Sequence, residues 1–162
     1  MSQIEMTIEV RNEGKELQLM SAALAGQTER VAALLRGGVD VNTRNHEGRT
    51  ALMFAVINMH AATVQTLLEF GADVNAEADD GFTPLILAAC SGNTRIAQAL
   101  LDSGADASKT LASGQTALSH AAEHGHSDIV ALLKRTIARS KEAKSQTVPY
   151  QRRTVKSVLT LP

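Results

Sequence analysis

The sequence predicts an all-α solenoid of about four helix-turn-helix units joined by β-turn fingers, with extended termini. Three observations predict it. Glycines recur 33 residues apart at Gly48, Gly81 and Gly114. The same step carries Thr50 to Thr83 and Thr116, Leu52 to Leu85 and Leu118, and Ala55 to Ala88 and Ala121. Each unit also holds two short apolar stretches with helical spacing, the mark of a stacked repeat whose units cannot bury their apolar faces alone.

Taken in order, residues 1–11 read as an N-terminal extended segment. Ile4, Met6, Ile8 and Val10 alternate with Glu5, Thr7 and Glu9, which is a strand pattern. Four units then occupy about 12–42, 43–75, 76–108 and 109–136. The first is degenerate: Leu19, Ala22, Ala23, Gly26, Leu34, Leu35 and Gly38 fall in register, but Lys15 stands where the opening glycine belongs. A terminal unit with a more polar outer face has this character.

The third unit shows the local logic best. Thr83 can cap a helix whose first position is Pro84, and Gly92 can end it in a left-handed turn. A second helix follows over about 94–103, with Ile96, Leu100 and Leu101 on one face, and Gly104 ends it. Helices of nine or ten residues are marginal alone, so stability must come from stacking. The Ala22-Ala23, Ala88-Ala89 and Ala121-Ala122 pairs let neighbouring helices approach closely. In the second unit Met59 replaces the turn glycine, and a locally strained or altered turn is expected there. The last helix should start near Ser127 and run past the repeat to about Ala143. Residues 137–162 read as a basic helix extension and an extended tail, with Pro149 marking the change.

Composition agrees with a stacked helical core. There are three Phe, one Tyr and no Trp, so the core must be mostly aliphatic. Residues 1–133 carry a net charge of −8 and residues 134–162 a net charge of +7. Cys90 is the only cysteine, which leaves no intrachain disulfide and fits a reducing compartment. No stretch has the length of a signal peptide core or a membrane helix, and the expected location is cytoplasmic.

Asp80-Gly81-Phe82-Thr83-Pro84-Leu85, Ala88-Ala89, Gly92, Leu100-Leu101 and Gly71-Ala72-Asp73-Val74-Asn75 together resemble the ankyrin repeat. The resemblance covers about three quarters of the chain. It departs at Met53, Ile86 and Ser119, where the family motif has His. It implies a protein-interaction adaptor or regulatory subunit, not an enzyme, binding a protein partner on a concave face of finger tips and first helices. Carried over position by position, that face comprises His46, Glu47, Arg49, Ile57 and Asn58; Asp79, Asp80, Phe82, Cys90 and Ser91; and Ala112, Ser113, Gln115, Glu123 and His124. Phe82 is expected to project from its finger as an anchor, forming with Ile57 and Cys90 an apolar patch rimmed by Arg49, Asp79 and Asp80.

The sequence leaves two other uses open. The basic tail, with Tyr150, Arg152, Arg153 and Lys156, could hold a partner protein, or bind nucleic acid or an anionic surface. The acidic body and the single tail aromatic disfavour nucleic acid. Terminal strands, with Val155, Leu159 and Leu161 on one parity near the end, would have to pair with something, such as a second copy in an oligomer; the favoured alternative is that both ends are disordered until bound. Chemistry finds little support. His120-Ala121-Ala122-Glu123-His124 spells H-x-x-E-H, but the repeat register accounts for most of it and no third ligand is identifiable, so no metal is expected. Ser108-Lys109-Thr110 lacks the glycine and preceding strand of a phosphate loop. No cofactor is expected.

Overall fold

The computed structural model describes residues 3–146, with side chains described for residues 14–143. Eight helices follow one another: α1 (Gln3–Leu24), α2 (Thr28–Arg36), α3 (Ala51–Ile57), α4 (Ala61–Glu69), α5 (Pro84–Ser91), α6 (Thr94–Asp102), α7 (Ala117–Glu123) and α8 (Ser127–Gln146). They form two layers. The first helices of the units, α1, α3, α5 and α7, pack in sequence, and the second helices, α2, α4, α6 and α8, pack in sequence behind them. This is the predicted helical solenoid. Among the described residues the only β pairing is isolated bridges, Arg44 with Thr50 and Thr110 with Thr116, which close two fingers at their base.

The caps are those the sequence calls for. Thr50, Thr83 and Thr116 each accept a hydrogen bond from the backbone N–H three residues on, at Met53, Ile86 and Ser119. Asn93 does the same for Ile96, opening α6. Leu19, Leu52 and Leu85 stack through the first layer and Leu67, Leu100 and Leu133 through the second, all buried. Ala22, Ala55, Ala88 and Ala121 lie between them with at most 1% exposure, so a larger side chain in this column would push the layers apart.

Adjacent units are tied by polar ladders with the same period. Asn42 Oδ1 accepts from the Asp73 N–H and Asn75 Oδ1 from the Asp106 N–H, each at 2.8 Å. The Nε2 atoms of His60 and His126 lie 3.0 and 3.2 Å from the carbonyls of Leu24 and Cys90, both 36 residues back. These rings lie over the preceding unit's turn glycine. A Cβ added at Gly26 would sit 2.6 Å from the His60 ring, and one at Gly92 2.5 Å from the His126 ring. Met59, with φ of 56°, is the one non-glycine residue in the left-handed region among the described residues. At the position in the next unit that corresponds to those histidines stands Asn93, a smaller residue.

The N-terminal expectation is corrected. Residues 3–11 are not an extended segment but the start of α1, and the terminal strand proposed there does not exist. The alternation over 4–10 also places Ile4 with Ile8, and Met6 with Val10, at helical spacing. With Lys15 and Leu17 at the positions of the usual Gly and Thr, nothing stops the docked helix from propagating backwards. At the other end α8 runs to Gln146, three residues past the expected stop. The tail expectations, including Tyr150, Arg152, Arg153, Lys156 and the second terminal strand, lie outside the described residues. No described helix is long and apolar enough to cross a membrane.

Candidate partner-binding face

The fingers of the second and third units are locked side by side. Arg44 Nη2 donates to the Glu77 carbonyl at 2.5 Å and lies 3.7 Å from the Asp79 carboxylate. The Asp79 N–H donates to the Glu47 carbonyl at 3.0 Å. Arg49 reaches Asp80 at 2.8 Å and Glu47 at 3.3 Å, so its guanidinium bridges both fingers. Lys109 pairs with Glu77 and joins the fourth unit's approach to the third; this carboxylate raises the lysine's pKa, first by the hydrogen bond and then by its charge. His46, at the tip, is almost fully exposed and lies 3.9 Å from Glu47.

On the first-helix floor, Gln115 Nε2 donates to both Glu123 oxygens at 3.2 and 3.3 Å. Ser91 Oγ donates to the Leu87 carbonyl, and Asn58 Nδ2 to that of Phe54, so both side chains are turned onto their own helices. His124 Nδ1 lies 2.8 Å from the His120 carbonyl, and its ring stacks on that of His126 at 6.0 Å. Cys90 is half-buried. Burial, and secondarily the negative charge of Glu123, push its thiol above the usual range, so it is a poor nucleophile. Among the described residues no group of three or more His, Cys, Asp or Glu is placed to hold a metal ion.

The predicted face therefore separates into a charged finger cluster (His46, Glu47, Arg49, Asp79 and Asp80) and a floor cluster around Gln115, Glu123, His124 and Cys90. Ala112 and Ser113 are exposed at the fourth finger. Phe82 is a correction. It does not project from its finger but is half-buried against the core, with its ring 5.9 Å from that of His120. The reason is local. Its N–H is held by Asp80 Oδ1, its carbonyl accepts from the Ala78 N–H, and an aromatic ring beside a floor of Leu and Ala gains more by folding down than by facing water. Ile57, 37% exposed at the C-terminal end of α3, is left as an apolar residue facing out on the first-helix layer.

Two features escaped sequence reasoning. Leu17, 65% exposed, and Met20 line a depression of about 260 Å³ between α1 and the first finger, with His46 on its far wall. The signal was there in Leu17, an apolar residue at a capping position. The other is His120, buried to 8% exposure with neither ring nitrogen hydrogen-bonded. Its counterparts one and two units back are Leu87 and Phe54, so the repeat register could have marked it as a polar residue in an apolar column.

A family model described as ankyrin repeats, in three copies, matches residues 19–111, and a single ankyrin-repeat model matches residues 113–138. No curated protein matches the chain. The matched stretches coincide with the stacked units, the first beginning inside α1 at Leu19, where the helix meets the core. With more than half its length covered and the helices in register, the chain belongs to the ankyrin-repeat family.

Proposed function

We propose that this protein is a non-enzymatic interaction adaptor or regulatory subunit that seats a partner protein across the fingers and first helices of its second to fourth units. Ankyrin repeats are in general protein-interaction modules. The observation that supports the finer reading is the cross-linking of neighbouring fingers by Arg44, Arg49 and Lys109. A surface held in place before binding loses little conformational entropy when a partner arrives. His46, Ile57, Glu123 and His124 are exposed on that surface and free of inter-finger pairing.

The test is a capture experiment from the native extract, comparing the full chain with a variant carrying Ile57→Asp and His124→Glu. A specific partner retained by the full chain and lost by the variant, with helicity unchanged, supports the face. Equal capture by both means that the face is wrongly assigned. A chain ending at Ser145 separates the tail from the repeats: capture that needs residues 146–162 makes the tail the reader.

A further inference from the structure

The second helices of the first three units each span nine residues, whereas α8 spans twenty. Its extra length overruns the end of α6 at Asp102 and a notch opens there. The notch encloses about 220 Å³ and is lined by Leu101, Leu132, Asp102, Thr136, Arg135 and Arg139, with Gln98 at its edge. Arg135 and Arg139 stand one helical turn apart on the same side of α8 and are both exposed. The finger cations Arg44, Arg49 and Lys109 are each paired with a carboxylate, but no ion pair among the described residues involves Arg135 or Arg139. Arg135 spends one N–H on the Ala131 carbonyl, which leaves its outer donors available.

We infer that this notch, on the second-helix layer and away from the finger face, is a docking site for an acidic peptide segment of a partner protein, with two carboxylates about 6–7 Å apart flanking an aliphatic side chain. The two guanidiniums supply forked donors for the carboxylates. Leu101 and Leu132 supply an apolar floor for the side chain between them. Asp102, on the opposite wall with one oxygen accepting from Gln98, can accept a peptide N–H. That carboxylate also favours a peptide over a polyanion, since a phosphate chain has no N–H to offer it. The chain does not supply its own occupant from the residues after α8, because 147–162 carry three cations and no acidic side chain.

The test is an amide-resolved NMR titration of the full chain with an acetylated, amidated peptide, Gly-Ser-Glu-Leu-Glu-Ser-Gly. Its glutamine counterpart, a ten-nucleotide oligothymidine and phosphatidylserine vesicles serve as comparison probes. Saturable shifts confined to the end of α6 and to 132–139 of α8 are expected, weakening with salt. The double variant R135E/R139E should bind the acidic peptide about tenfold more weakly or less. K134E, whose side chain lines a separate depression with Ala122 and Val130, should change binding by less than about threefold. R135Q/R139Q provides the same comparison should charge reversal disturb the helix. No saturable shift at millimolar peptide, equal binding of the glutamine peptide, indifference to both double variants, or tighter binding of the oligothymidine or vesicles would each overturn the assignment.

Discussion

Replacing Gly92 by Ala tests the coupling between a turn and the histidine of the next unit. Gly92 has φ of 74°, and an added Cβ would lie 2.5 Å from His126 Cε1 and under 3 Å from both ring nitrogens. Two costs follow. Placing an L side chain in the left-handed region costs about 1–2 kcal/mol. Pushing the ring aside breaks its 3.2 Å contact with the Cys90 carbonyl, a hydrogen bond contributing about 0.5–1.5 kcal/mol, and disturbs its stack on His124. The sum, about 1.5–3.5 kcal/mol, should lower the melting temperature by roughly 3–14 °C in a chain of this size. The second unit shows the remedy, since Met59 occupies the same turn where Asn93 replaces the histidine. Urea unfolding followed by circular dichroism should therefore be run on Gly92→Ala, His126→Asn and the double variant. In the His126→Asn background the alanine should cost only its backbone term, about 1–2 kcal/mol, leaving a coupling of about 1 kcal/mol. Additive effects of the two substitutions would refute the reasoning, and the occurrence of Met59 opposite Asn93 would then need another cause.

Three further outcomes are expected. His120→Leu removes two buried ring nitrogens without partners and restores the residue type of the third unit, so it should stabilise the chain by about 1–3 kcal/mol in thermal unfolding; a loss of stability would mean that the imidazole has a partner in solution. Thr83→Ala deletes the cap on Ile86 N–H at a position only 2% exposed and should cost about 1 kcal/mol by urea unfolding. Cys90 should react with a disulfide reagent at pH 8 more slowly than a free thiol, because burial and Glu123 both raise its pKa and so reduce the thiolate. Glu123→Gln removes only the smaller of those causes and should speed the reaction modestly; no change would remove the carboxylate from the explanation.

Where a residue's role is set by the repeat, the sequence was sufficient. The threonine caps, the Gly92 turn and the leucine and alanine columns recur at one spacing because every unit solves the same stacking problem. Backbone strain at Met59 was legible for the same reason, but the turn itself is unaltered: Met59 keeps the left-handed φ of the turn glycines, and His60 N–H donates to the Ala55 carbonyl as His126 N–H does to Ala121. Failures came where the repeat stops constraining the chain. The alternation over 4–10 fits two periods in so short a run, and α1 was decided by continuity with the docked residues from Leu19 onward. Phe82 has the right position for an anchor, but its direction depends on a neighbouring helix 38 residues later, where His120 offers a ring to pack against.

The burial of Phe82 also bears on how a partner would be recognised. The finger charges at Arg44, Arg49, Glu77, Asp79, Asp80 and Lys109 are largely satisfied by one another, so a partner that pairs with one of them must first break an existing contact. Exchanging one exposed ion pair for another changes affinity little, since such pairs are worth about 1 kcal/mol or less. On the proposed reading, discrimination therefore falls to groups without such pairing: Ile57 at the end of α3 and the imidazole of His124. These combine apolar area with a few polar atoms, the composition of interface centres, whereas the finger pairs resemble a rim. Arg49→Ala should then alter partner affinity less than Ile57→Asp, and the opposite ranking would place recognition in the charged fingers.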